Sequence, residues 1–429
     1  MKNTLATQAQ RFLPLLLLTG VLVLISLVLG SMAQDLPLPY VILMLGVVLV
    51  WMVYSLFGGI NLHGSLILLS LSFIKPLMPV FFLILLLFIF LIFAELYQKQ
   101  KLELKIPYPL ALTFILGFGI YSAIRIQDPL GYTMFFTTVI VPVLVLILCQ
   151  NARLSDQSLL IWMRAIVAVA SFVGAYGIVI AIQNPFERLG SFWFTAMTIN
   201  GFYTMAFFFA LTLLFRSQTQ LTKAVYAIAA LLILFGMLYT YTRMAILAVA
   251  FGVFLFMIKI RSMRYLGILF IGLLPLVIPS SMISRIELGF NNDVSLLIRG
   301  IAWYLAALQI FQNPFTGIGF GVWTQWYPTV IPIRYLYAQH PHNLYLNLMV
   351  EMGVIAAFAY LFVIFATIRR YYKTRVTQNP DILHYGMWVS LMAIMFACIT
   401  DVFIQLHMVS ILFWLSLGIV LSLSKESNK

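Results

Sequence analysis

The chain has 429 residues, of which 63% are hydrophobic and only 9% charged, with a formal net charge of +13. Ordinary soluble domains carry about 45–50% apolar and about 25% charged residues, and the apolar runs here reach the ~20 residues that cross a bilayer. A soluble enzyme, a disordered tail and a small disulfide-stapled domain are thereby excluded. Cys149 and Cys398 both lie inside apolar runs and offer no disulfide framework or zinc knuckle. The positive charge forms no stripe that would fit a nucleic acid. Lys and Arg sit instead in short clusters between apolar runs, as determinants of membrane topology do.

In chain order, Lys2 and Arg11 precede an apolar stretch from Phe12 to Gly30, and Ser31-Met32-Ala33 mimics a signal cleavage site. The stretch exceeds the 7–15 apolar residues of a typical secretory signal, so it predicts an uncleaved first span. Further spans are predicted near 38–57, 107–124, 130–149, 159–182, 191–215, 222–241, 243–258, 265–280, 344–368, 383–402 and 404–422. The block 58–95, with Gly58-Gly59, His63 and Lys75-Pro76, is either a hairpin of two short spans or one kinked helix. Parity favours the hairpin, which puts Lys99, Lys101 and Lys105 on the side of the N-terminus.

The expected fold is an all-α integral membrane protein, one polytopic domain over 1–429 with about fourteen spans and both termini cytoplasmic. Eighteen Lys and Arg then fall inside and seven outside, the latter being Lys75, Arg125, Arg188, Arg243, Arg285, Arg299 and Arg334. The positive-inside rule supports this topology and makes the seven exceptions unusual.

Residues 281–343 form one long outside loop, far longer than ordinary connections. Ser295 to Phe311 reads as an amphipathic helix at the outer interface, and Asn313-Pro314 with Gly317, Gly319 and Gly321 breaks it. The remaining loops are short.

The strongest chemical signal is His340-Pro341-His342-Asn343, running into Asn347 and Glu351. Pro341 keeps His340 extended, and Asn343 is a good N-cap for the span that follows. Asn343, Asn347 and Glu351 repeat at i, i+4 and i+8, a polar stripe on one helix face. An imidazole at that helix mouth is a natural general base, which singles out His342. Arg243, in a tight outside turn after Thr242, and Arg299, ahead of Trp303, are the leading anion-binding candidates. Arg188 follows them, with Arg125 and Arg334 weaker. Guanidinium groups gathered on one face suit phosphate. The outside acids Asp35, Asp128, Glu187, Glu287, Asp293 and Asp401 include no pair at ligand spacing, so a metal-free site is expected, with arginines supplying charge stabilisation. His63, His384 and His407 read as structural.

These pieces together resemble the O-antigen ligase and polymerase superfamily of bacterial envelope glycosyltransferases. The resemblance is carried by Thr242-Arg243, Arg299 with Trp303, Asn313-Pro314-Phe315-Thr316-Gly317-Ile318-Gly319-Phe320-Gly321, and His342-Asn343-Leu344-Tyr345-Leu346 with Glu351 and Gly353. It covers about 187 to 360, with Arg188-Leu189-Gly190 and Asn200 a looser match.

The resemblance implies a GT-C-like membrane fold, commonly of twelve spans, in the bacterial inner membrane with its active site on the periplasmic face. It implies an undecaprenyl-diphosphate-linked glycan as donor and a lipid A-core or glycan acceptor, with no metal and no other cofactor. His342 then looks like the base that deprotonates the acceptor hydroxyl, Arg243 and Arg299 like diphosphate clamps with Arg188, and His340, Asn343, Asn347 and Glu351 like supporting residues. The polymerase branch often carries Arg-x10-Gly motifs in outside loops. Such a spacing here, Arg261 to Gly272, falls on the cytoplasmic side, which tilts the expectation toward a ligase. A lipid-linked glycan flippase or transporter would instead place polar groups at mid-membrane on broken helices and repeats. The spans are nearly free of such charge.

Overall fold

The computed structural model describes residues 105–126, 129–151, 154–183, 196–240, 242–260, 294–378 and 381–424, with positions 264, 265 and 272. The predicted spans at 12–30, 38–57 and 265–280, the 58–95 block with His63, and Arg188 lie outside the described residues.

The described elements are all helical. They are α1 (Pro109–Ala123), α2 (Pro129–Phe135), a π turn (Phe136–Ile140), α3 (Val141–Asn151), α4 (Asp156–Gln183), α5 (Ala196–Arg216), α6 (Gln220–Leu238) and α7 (Arg243–Lys259). There follow α8 (Val294–Gln312), α9 (Val322–Val330), a 3-10 turn (Arg334–Leu336), α10 (Leu344–Tyr371), a second π turn (Tyr372–Val376) and α11 (Ile382–Ala397). A 3-10 turn (Phe403–Gln405) and α12 (His407–Leu423) complete the series. By length and composition α4, α5, α6, α8 and α10 are each able to cross a membrane. This makes the chain a multi-pass membrane protein. Among them α8, expected as an interfacial loop helix, has the length and apolarity of a span.

The chain divides into two units, one of 1–104 and 155–169, the other of 105–154 and 170–429. In the first, the described residues open α4 through a reciprocal serine pair. Ser158 Oγ accepts from Ser155 N–H at 3.2 Å and Ser155 Oγ accepts from Ser158 N–H at 3.3 Å, engaging donors that a helix start leaves unpaired.

In the second unit, α5 packs against α6 and α11, and α12 is buried along its length between α3 and α10. Close approach relies on small residues, as helix packing in lipid does. A Cβ on Gly386 would stand 1.7 Å from Thr212 Oγ1, and the Phe208 ring lies on Gly252.

Cations collect at one end of this bundle. Arg216 pairs with Asp381 at 2.9 Å, and Lys259 Nζ donates to Val376 O at 3.1 Å. Arg370 and Arg375 donate to the carbonyls of Ser424 and Leu423, closing the C-terminus of α12. Tyr371 Oη and His384 Nδ1, both buried, lie 2.8 Å apart and tie α10 to α11 at the same end.

The opposite end is built around a break in α10. Gly353 has φ 83° and ψ 167°, so the helix is two pieces. Its loosened backbone groups are taken up by the glycine-rich loop after α8. Ile318 N–H donates to Val350 O at 2.7 Å, Gly319 N–H to Glu351 O at 3.2 Å, and Val354 N–H to Pro314 O at 2.7 Å. Ser122 Oγ adds a 2.6 Å bond to Glu351 O. The predicted helix breakers after α8 are thus one half of a lock whose other half is Gly353.

Arg125, a weak candidate by sequence, holds the lock shut. Its Nη1 donates to Gly317 O at 2.9 Å while its guanidinium lies 5.1 Å from the Tyr121 ring centroid. Trp323 and Tyr327 of α9 fill the space between α8 and α10. Trp323 Nε1 donates to Ala338 O at 3.0 Å and Tyr327 Oη to Leu336 O at 2.9 Å, which lays the 331–340 segment back toward the start of α10.

Candidate active site

The site begins where that segment turns into α10. Asn343 is the N-cap, its Oδ1 accepting from Leu346 N–H at 3.0 Å. The first helical N–H, of Leu344, donates to Cys398 O at 3.0 Å, and Tyr345 Oη donates to Met395 O at 3.0 Å. The start of α10 is therefore fixed against the end of α11 and the turn 398–402 that follows it.

This docking places Asp401 between two imidazoles. His340 Nε2 lies 3.7 Å from Asp401 Oδ1, and His342 Nδ1 lies 3.9 Å from Oδ2. Asp401 Oδ1 also accepts from Val402 N–H at 2.8 Å. The two rings meet edge to face, 4.4 Å between centroids. His342 has φ 50°, a left-handed backbone unusual for a residue with a Cβ, and such strain concentrates at functional positions.

The tautomer of His340 follows from its bonds. Its Nδ1 accepts from His342 N–H at 3.2 Å, so the neutral ring carries its proton on Nε2, the atom that faces Asp401. Burial pushes His340 down to about 4, against the pull of Asp401 and with the neighbouring His342 and Arg299 adding to the fall. Burial would raise the Asp401 carboxyl, but the neighbouring His342 and His340 imidazoles and the Val402 N–H outweigh it and hold the acid below its ordinary value. At neutral pH the centre is a carboxylate beside a neutral His340. Its second oxygen is turned to His342.

A carboxylate hydrogen-bonded to Nδ1 fixes an imidazole's orientation and leaves Nε2 to take a proton from an incoming hydroxyl; Asp401 stands on that side of His342 at 3.9 Å, one small approach short of the bond. His340, His342 and Asp401 each offer a ligand atom, these lying within 4.8 Å of one another, the spacing of a possible metal set. Asp401, which has no second acid at ligand spacing in the sequence, is brought by the fold beside two histidines instead. The donor set does not fit a cation well as it stands, because Nε2 of His340 holds a proton where a metal would need a lone pair.

Acidification should unload this centre. Folded His340 takes its proton near 4 rather than 6.5, so its contribution to stability is complete above 6.5 and is lost as the pH falls toward 4. The size is about 3 kcal/mol. The depressed Asp401 acts in the same direction, but at pH values below its ordinary 3.8. Thermal melts in detergent between pH 7.5 and 4.5 should show a steep loss of stability that is shallower in His340→Asn. Equal slopes for the two proteins would refute the assignment.

The other predicted residues separate into two groups. Arg299, on α8, acts electrostatically on His340, and its Nη1 donates to Ser295 Oγ at 3.2 Å. Arg243 opens α7, half-buried, after a turn held by Asn200 Nδ2 donating to Thr240 Oγ1 at 2.7 Å. Helix α7 runs antiparallel to α11, with Tyr385 Oη donating to Leu255 O and Phe251 stacked on Phe396, so Arg243 lies at the end where α11 leads into Asp401.

Asn347 and Glu351 go elsewhere. Both are buried and face Gln405, not the imidazoles. Sequence reasoning missed Asp401 as the partner of His342, since the two are brought together only by the packing of α10 on α11. An acid standing between two apolar runs was the one signal available.

An all-helical, multi-pass membrane protein with a histidine–carboxylate centre at one end of its bundle is the class these elements define. Residues 228–361 match the family model described as O-antigen ligase, a stretch holding Arg243, Arg299, the glycine loop, both histidines, Asn347 and Glu351. Over that stretch the chain is similar to the O-antigen ligase family, which supports the resemblance to the O-antigen ligase and polymerase superfamily. Asp401 and Gln405 lie beyond it. No curated protein matches the chain.

Proposed function

We propose that this chain transfers a glycan from undecaprenyl diphosphate to an acceptor hydroxyl at the periplasmic face of the bacterial inner membrane, as an O-antigen ligase with lipid A-core as acceptor. The observation that carries the reading is the Asp401 carboxylate on the Nδ1 side of His342, a histidine that lies in the stretch matched by the O-antigen ligase family while Asp401 lies beyond it.

In this reaction His342 Nε2 takes the proton of the acceptor hydroxyl as its oxygen bonds to the anomeric carbon of the donor sugar. The bond from that carbon to the diphosphate oxygen breaks, and undecaprenyl diphosphate leaves with the electron pair. Arg299 and Arg243 stabilise the charge that develops on the leaving group, with Arg188 as the third candidate clamp and no metal or other cofactor. The arrangement of the 281–343 segment as one periplasmic loop belongs to the same proposal.

A flippase would draw on the break in α10, since transporters place substrates on interrupted helices. Here Val350 O, Glu351 O and Val354 N–H at the break are all bonded within the protein, so the break serves the glycine loop.

The test is the glycan profile of a strain deleted for the chain. Unligated polymer left on undecaprenol supports the ligase. Single capped repeats would show a polymerase, and unaltered surface glycan would refute both. Complementation with Arg299→Ala or Arg243→Ala should each lose about 1.5–3 kcal/mol of charge-assisted contact, roughly one to two orders of magnitude in transfer. Arg→Lys should restore little if the fork is used bidentately, and full rescue would oppose that role.

A further inference from the structure

Gln405 ends the 3-10 turn that follows Asp401 and is 2% exposed. Both ends of its amide are engaged. Asn347 Nδ2 donates to its Oε1 at 2.8 Å, while its Nε2 donates to Glu351 Oε2 at 2.8 Å and to Thr138 Oγ1 at 3.2 Å. Its backbone carbonyl accepts from Thr137 Oγ1 at 3.0 Å, and the Thr137 carbonyl accepts from Ser410 Oγ at 2.9 Å. A primary amide offers an acceptor and two donors on one rigid plane, which is the inventory this cradle uses.

The convergence exceeds what closing a turn requires. Thr137 and Thr138 are sequence neighbours that both reach Gln405, and they stand in the π turn Phe136–Ile140, a kind of irregularity that often marks functional sites. Asn347 and Glu351 belong to the short piece of α10 between His342 and the Gly353 break. The amide therefore clamps the 401–405 segment to the same helical piece that begins just after His342. The Leu344 N–H to Cys398 O bond ties that piece to the chain on the other side of Asp401. Between these two ties the carboxylate has little latitude.

We propose that Gln405 is a positioning residue, holding Asp401 opposite His342 through its amide bonds to Asn347, Glu351 and Thr138. The assignment rests on reading His342 and Asp401 as the base and its orienting acid.

Its test uses the full-length protein in membranes, with lipid-linked glycan extracted from the deletion strain as donor and lipopolysaccharide core from that strain as acceptor. Gln405→Leu should lower kcat roughly ten- to a hundredfold, the scale of a small misplacement of a reacting group, with the acceptor KM little changed. In an Asp401→Asn background the same substitution should cost nothing more, because a residue acting through Asp401 has nothing left to lose. The exchange Glu351→Gln with Gln405→Glu keeps the hydrogen bonds with carboxyl and amide swapped, and it should recover most of the rate lost by Gln405→Glu alone. It also carries the test if Gln405→Leu fails to give a monodisperse size-exclusion peak.

An undiminished effect of Gln405→Leu in the Asp401→Asn background would overturn the proposal. So would an exchange variant no better than the worse single one, since a carboxylate would then be required at position 351 itself. Wild-type transfer by Asp401→Asn alone would instead refute the underlying assignment of the base, which keeps the two failures distinct.

Discussion

His342→Ala is expected to abolish glycan transfer while the protein is still made and inserted. Loss of a general base removes roughly 10²–10⁴-fold of rate, which in a complemented deletion strain reads as no surface glycan. Asp401→Asn should come close to the same result by another route. Its amide would face the Nδ1 of His342 as a donor, favouring the tautomer with hydrogen on Nε2, and that nitrogen could no longer accept a proton. His340→Asn should be milder, since an Asn oxygen can still accept from the His342 N–H. An immunoblot of the membrane fraction and a glycan gel on the same cells make the measurement. Substantial transfer by His342→Ala would sink the base assignment, whatever the arginine variants do.

The second large effect should be structural. At Gly353 a Cβ would stand 2.2 Å from Phe315 O and 2.4 Å from Phe315 C, on a backbone with φ 83° and ψ 167°. That conformation is nearly restricted to glycine and costs of order 1–3 kcal/mol for other residues, before the clash is counted. Gly353→Ala should therefore drive the glycine loop off α10 and disturb the helix start that carries His342. Gly317, at φ 62° and with Val350 O 2.5 Å from where a Cβ would stand, should behave alike. Gly300→Ala is the control, because its Cβ would meet nothing within 4 Å and alanine is the better helix former. Thermal unfolding in detergent, followed by size exclusion, should show a drop of several degrees or outright aggregation for Gly353→Ala and no loss for Gly300→Ala. Equal melting temperatures would show that the lock is dispensable.

Much of the helical layout could be read from apolar runs alone. The expected span 243–258 is the helix Arg243–Lys259, and 344–368 is the first part of Leu344–Tyr371 behind the Asn343 cap. Cap and charge chemistry act locally, so sequence exposes them. The run 130–149 hid a π turn because irregular hydrogen bonding leaves hydrophobicity unchanged. The stripe Asn343, Asn347 and Glu351 was legible as a periodicity, yet its two deeper members serve Gln405, a residue more than 50 positions away. Arg125 was discounted because nothing polar repeats around it, and its partner is a carbonyl on a distant loop. Asp401 was visible only as an isolated acid. Local rules find groups able to do chemistry, whereas the groups that aim them come from the packing of separate helices.

The break at Gly353 also isolates the site from the rest of its own helix. An unbroken α-helix transmits every inserted residue as a turn of about 100° along its length. In α10 the piece before the break takes its orientation from the glycine loop, the Cys398 carbonyl and Gln405, and not from the piece that follows. Insertions or deletions between 354 and 371 would re-register the lower helix against its neighbours without rotating His342. A change of length beyond the break is thus absorbed by the bundle, while the geometry at its mouth keeps its own anchors.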